Sequence, residues 1–171
     1  GASIGGLKAI CFNSDDSVDI TMIDNKNNLY KEIENQIIIV NSNLNRSASN
    51  VLEKQKQNFI KNLNRLENIV SMTNDFQRNL NDKNYEKIYD NLNDYWEIKK
   101  QLVDNDKKTK LDKIYDHFVP KYCHAGKLCG AGGGGYFMFF SKNLDLSDET
   151  YLYHKIKIDL DGSVIIYDNQ I

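Results

Sequence analysis

The chain has 171 residues, 40% of them hydrophobic and 27% charged, with a formal net charge of −2. That length and balance suit one globular domain with its own core and exclude a disordered polyelectrolyte. The near-neutral charge offers no general attraction to nucleic acid or an anionic membrane surface, and no apolar run approaches the roughly 18 to 20 residues of a membrane helix.

The chain opens with "GASIGGLKAICF", which begins abruptly inside what reads as a structured element, as a piece of a longer protein would. Residues 1 to 10 carry neither a charged leader nor a small-residue cleavage site, so no signal peptide is expected. Residues 6 to 12 are apolar enough for a strand. In residues 17 to 24, Val18, Ile20 and Met22 alternate with Asp19, Thr21 and Ile23, and period two predicts a strand with the first set inward. "NSDDS" between them has turn chemistry, so the pair reads as a hairpin. Residues 36 to 40, "QIIIV", predict a third strand.

A helix is expected from "RSASNVLEKQKQ", with Ser47 or Ser49 as a cap and Asn50 with Glu53 as a capping box. Helical spacing recurs over 59 to 80, 84 to 103 and 108 to 119. "YFMFFS", residues 136 to 141, has strong strand propensity. Residues 143 to 150 read as a loop or brief helical turn. "YHKIKIDLDGSVIIY" reads as a closing hairpin turning at Asp161-Gly162. The order, strands then helices then strands, predicts an α+β fold with an antiparallel sheet and a helical layer on one face.

Cys11, Cys123 and Cys129 are odd in number and scattered, which fits reduced thiols and a cytoplasmic protein. Cys123, His124, Cys129 and His117 lie close in sequence but lack the paired spacing of structural zinc, so no metal site is expected.

Five of the ten glycines fall within residues 130 to 135, directly before the aromatic strand. Gly130, Gly132 and Gly135 match G-x-G-x-x-G, but a dinucleotide-binding loop needs a helix after it, and here a strand follows. The β3 lysine, H-R-D and D-F-G segments of protein kinases are absent from the remaining residues, as is a P-loop. Adjacent glycines adopt positive φ and let amides converge without side chains in the way, which suits phosphate oxygens. The plainer alternative is close packing at a strand entry.

"GKLCGAGGGGYFMFF" resembles the third motif of the GHMP kinases, the superfamily of galactokinase, homoserine kinase, mevalonate kinase and phosphomevalonate kinase. "GASIGGLKAICF", "NRSASNVLEKQ" and "YWEIKKQL" followed by the glycine block resemble, more narrowly, the heptose 7-phosphate kinases and related sugar 1-kinases. The blocks span nearly the whole chain in the expected order. The resemblance implies a ferredoxin-like C-terminal domain over residues 1 to 171, with the nucleotide-binding N-terminal half not in this sequence. It implies transfer of the ATP γ-phosphate, with Mg2+, to the hydroxyl of a sugar or sugar phosphate. The catalytic Asp of galactokinase-like members would lie just before Gly1, so no catalytic residue is assigned here and the chain alone is expected to be inactive.

By the same resemblance, Gly130, Ala131, Gly132, Gly133, Gly134 and Gly135 would line the cleft near the transferred phosphate. Arg46 would face the substrate at a strand-to-helix junction, where a guanidinium matches a phosphate bidentately and the helix start favours anions. Ser47, Ser49 and Lys127 are further substrate-binding candidates, against the plainer readings of helix caps and a solvated lysine. Lys99 and Lys100 read as a solvated face, and Trp96 as core. Three departures stand out. "NSNLN" replaces the usual Thr-Gly before the Arg, "HAGK" has one glycine where two are common, and the segment after "YFMFF" is too short for the usual helix. The alternatives are a non-catalytic module that binds a sugar phosphate or assembles with a partner chain, and a metabolite kinase of the mevalonate or homoserine branch. A domain lacking its other half would expose apolar surface, making a homo-oligomer plausible.

Overall fold

The computed structural model describes residues 3–45, 48–102, 105–146 and 150–164. They fall into two compact units, residues 1–34 with 157–171, and residues 35–156.

In the first unit, β1 (Lys8–Phe12) and β2 (Val18–Met22) form the expected antiparallel hairpin, with Lys8 opposite Met22 and Phe12 opposite Val18. The turn closes as its residues dictate. Asn13 N–H donates to Ser17 O (2.9 Å), Asp15 accepts from the Ser17 amide, and Asp16 takes φ +65°. The expectation that Val18, Ile20 and Met22 point inward is not met: all three are exposed, as is Phe12 at 79%. Period two identifies an apolar face but not whether this chain covers it.

A short helix, α1 (Leu29–Glu34), follows a 3-10 turn over Lys26–Asn28 and buries Leu29 and Ile33 beside Ile23. Tyr30 fastens it, its hydroxyl donating to Ile23 O at 2.6 Å and accepting from the Leu7 amide. Residues 157 to 164 lie along the start of the chain: Gly6 N–H donates to Asp159 O (2.7 Å), and Gly162 bridges Ile4. Most of the second arm of the closing hairpin expected at Asp161-Gly162 lies outside the described residues. A Cβ on Gly5 would fall 2.1 Å from Leu160 O, so this close approach requires glycine.

The second unit holds a four-stranded antiparallel sheet in the order β4-β5-β3-β6. Its strands are β3 (Ile37–Asn41), β4 (Cys123–Leu128), β5 (Tyr136–Ser141) and β6 (Tyr153–Lys155). The helices are α2 (Ala48–Gln57), α3 (Leu63–Asn81), α4 (Tyr85–Lys99) and α5 (Asn105–Phe118). The α+β architecture with antiparallel strands is therefore as expected. β4 is an addition that the sequence reading did not contain.

Alternation along the sheet sets the core. Ile38 pairs with Phe139 and Val40 with Phe137, and these four fully buried side chains pack with Trp96, Leu111 and Phe118. Trp96 stacks on Tyr115 with ring centroids 4.9 Å apart. Gly126 on β4 makes room for this layer: a Cβ there would lie 2.2 Å from Phe139 Cδ1. Its amide donates to the Tyr115 hydroxyl, which itself donates to Asn93 Oδ1 at 2.6 Å. α4 lies along the β4 edge, so Trp96 reaches this layer while Tyr95, the residue before it, meets Lys127.

Candidate functional site

The six residues 130–135 form the crossing between β4 and β5. Cys129 N–H donates to Tyr136 O at 2.8 Å and closes the base of the loop. Above it Gly130, Gly132, Gly133, Gly134 and Gly135 all take positive φ, from +73° to +147°, a run that side-chain-bearing residues rarely adopt. Gly132, Gly133 and Gly134 are buried. Among the described residues, none of their amides has a main-chain acceptor.

The chain leaving β3 crosses this loop. Ser42 N–H donates to Gly135 O (2.9 Å), and Gly135 N–H donates to Leu44 O (3.3 Å). Asn43 takes φ +53° to make the bend. The fit is tight: a Cβ on Gly134 would lie 2.4 Å from Leu44 O. The glycine loop is thus held against the segment that leads directly into position 46.

Arg46 and Ser47 themselves lie outside the described residues. Ser49 is exposed in the first turn of α2, inside the helix rather than ahead of it. Asn50 likewise lies within α2, so the capping box expected at Asn50 and Glu53 does not form the helix start. Lys127, on β4 opposite Met138, is partly buried, and its ammonium stands 5.3 Å from the Tyr95 ring centroid. Burial pushes the Tyr95 phenol up to about 12, so the ring stays neutral beside that cation. Lys127 also lines a cavity of about 170 Å³ between α3, α4 and the sheet.

Lys99 and Lys100, expected on a solvated face, are both partly buried, and the Lys99 Cε lies 3.6 Å from where a Gly132 Cβ would stand. Lys99 also lines a separate cavity of about 270 Å³. Helical spacing alone could not find it, because its partner is a loop more than thirty residues away. Trp96, by contrast, is core as expected.

Cys123, His124 and His117 are engaged separately. Cys123 is buried and its thiol is pushed up to about 12 by desolvation. His124 stacks on Tyr89 at 4.4 Å, and burial lowers its imidazole below the usual value. His117 packs among Phe118, Tyr122 and Tyr151. Among the described residues no group of three His, Cys, Asp or Glu side chains is placed to hold a metal ion. No helix among them is long and apolar enough to cross a membrane.

The fold, an antiparallel sheet with packed helices, is shared with solved kinases. The fold matches Leishmania major mevalonate kinase, solved with R-mevalonate, at a TM-score of 0.63 with 15% identity, over 82% of this chain and 41% of that one. It matches a D-glycero-D-manno-heptose 1-phosphate kinase from Bacteroides thetaiotaomicron at 0.55 with 18% identity, over 94% of this chain and 45% of that one. In sequence the chain is 26% identical over 161 residues to the D-glycero-alpha-D-manno-heptose 7-phosphate kinase of Campylobacter jejuni, covering 91% of this chain and 45% of that protein. No protein-family model matches the chain. The resemblance to the C-terminal part of GHMP kinases thus appears both in sequence and in fold. The chain spans under half the length of these relatives.

Proposed function

We propose that this chain is the C-terminal part of an ATP-dependent sugar kinase whose acceptor is a heptose 7-phosphate. The observation that carries this reading is the glycine crossing: five positive-φ glycines whose buried central amides meet no main-chain acceptor among the described residues, set against the segment entering Arg46. A concave run of N–H groups binds phosphoryl oxygens, and the absent Cβ atoms let those oxygens approach the backbone. The cradle fits the phosphoryl group that ATP supplies.

In this reading the Gly132–Gly134 amides receive charge that develops on the transferred group, and their gain comes from being fixed in place beforehand. Arg46 orients the acceptor, and Lys127 supplies positive charge on β4 beside the loop. The described residues offer no acidic cluster for Mg2+, so its ligands and the base that activates the sugar hydroxyl are assigned to the N-terminal half of the protein. The exposed apolar face of Val18, Ile20, Met22 and Phe12 is where that half, or a second copy, would dock. A cytoplasmic location fits the supply of ATP.

A second reading is a sugar-phosphate-binding module without catalysis, which needs no acidic cluster for Mg2+. One experiment separates the two. The longest reading frame containing this chain is assayed for ADP release with heptose 7-phosphates, hexose phosphates, mevalonate and homoserine. Turnover confined to sugar phosphates supports the sugar kinase. Turnover of mevalonate or homoserine alone contradicts it, and binding of a sugar phosphate with no turnover on any acceptor supports the module.

A further inference from the structure

The 270 Å³ cavity beside the glycine loop is built from the ends of three helices. Lys56 comes from the last turn of α2, Phe59 and Asn62 from the link into α3, Leu66 from α3, Lys99 from the end of α4 and Leu102 from the 3-10 turn after it. Among the described residues its walls are mainly apolar, yet they include two lysines. Asn62 is itself held in place by Arg65, whose Nη1 donates to Asn62 Oδ1 while its Nε donates to Gln101 Oε1, both at 3.0 Å. Glu97, in the last turn of α4, is engaged by Lys100 at 2.5 Å.

The other described cavities differ. The α3–α4–sheet cavity has one cation, Lys127, already over the Tyr95 ring. The depression farther along α3 has Glu67 as its charged lining residue, which suits no anion.

At about 270 Å³ the cavity lies near the lower end of small-molecule pockets, a size that suits a sugar phosphate. An apolar floor with an aromatic ring accepts the C–H face of a sugar, and paired ammonium groups accept a phosphate monoester. Lys99 alone belongs to both places, since its Cε flanks Gly132 while the side chain lines the cavity.

We infer that this cavity is the subsite for the non-reacting phosphate end of a sugar-phosphate acceptor, held by Lys56 and Lys99 over Phe59 and Leu66. The inference rests on the proposed kinase reading in taking a sugar phosphate as the ligand. It adds the residues that would distinguish a phosphorylated acceptor from a bare sugar.

Isothermal titration of the full-length protein tests it, with D-glycero-D-manno-heptose 7-phosphate, the unphosphorylated heptose and inorganic phosphate as separate probes. Lys99→Met and Lys56→Met are each expected to weaken the heptose phosphate about tenfold, with the bare heptose unaffected. Lys99→Arg is expected to restore most of the loss, which a variant that merely misfolds would not show. Equal affinity of wild type and both Met variants for the heptose phosphate would overturn the subsite, as would inorganic phosphate binding as tightly as the sugar phosphate. The two readings fail separately. Unchanged binding in Lys99→Met with sugar-phosphate turnover intact removes the subsite alone, whereas lysine-dependent binding without turnover removes the kinase alone.

Discussion

Gly134 and Leu44 meet so closely that a single added methyl group has nowhere to go: the Cβ it would introduce lies 2.4 Å from Leu44 O. This contact joins the glycine loop to the segment leaving β3. Gly134→Ala is therefore expected to cost about 3 kcal/mol, from strain at φ +147° together with displacement of Leu44. Gly132→Ala meets only the flexible Lys99 Cε at 3.6 Å and is expected to cost about half as much. Denaturant unfolding of the two variants checks the order, and equal losses would show that the Leu44 contact contributes nothing.

Trp96 tests the core beneath the site. It is 2% exposed, stacks on Tyr115 and meets Phe137 edge-on at 5.3 Å. Trp96→Ala should lower stability by about 3–5 kcal/mol, measured by urea unfolding. Because Trp96 is the chain's one tryptophan, a Trp96→Phe variant followed by circular dichroism provides a milder comparison.

Stability should fall in alkali. The Cys123 thiol is raised by burial from 9.0 to about 12, and the Tyr95 phenol from 10.0 to about 12. In both cases the unfolded chain releases its proton first, so the unfolded state gains as pH rises. The contribution is whole below about pH 9 and is lost progressively up to about pH 12, at a limiting slope near 1.4 kcal/mol per pH unit for each group. Unfolding measured across that range in wild type and Cys123→Ala should show a shallower decline in the variant. A pH-independent wild type would contradict the burial of both groups.

The β1–β2 hairpin exposes Val18, Ile20 and Met22 on one face. A Val18→Thr, Ile20→Thr, Met22→Gln variant of this chain should unfold at nearly the same denaturant concentration as wild type while self-associating less in analytical ultracentrifugation. Unchanged association would place the sticky surface elsewhere.

Much of this was legible in the residues, and the failures have definite causes. "NSDDS" specified the first hairpin because its turn chemistry is local. The glycine run announced its positive-φ loop for the same reason. β4 was missed because "CHAGKL" has little strand propensity: Ala125 and Gly126 are there for their small size, which lets Phe139 lie across the strand. The six-residue α1 shows too little periodicity to stand out. Inward-facing Val18, Ile20 and Met22 were inferred from alternation, which cannot reveal what covers a face. Lys99 looked solvated because its meeting with Gly132 is tertiary.

The central claim is that the Gly132–Gly134 amides hold a phosphoryl group. Its most direct measurement is the amide spectrum of the 15N-labelled full-length protein during titration with a non-hydrolysable ATP analogue, Mg2+ and a heptose 7-phosphate. The account expects the glycine-loop amides to show the largest downfield shifts and to saturate with the ligands. Saturable binding that leaves those amides unmoved while others shift would contradict it.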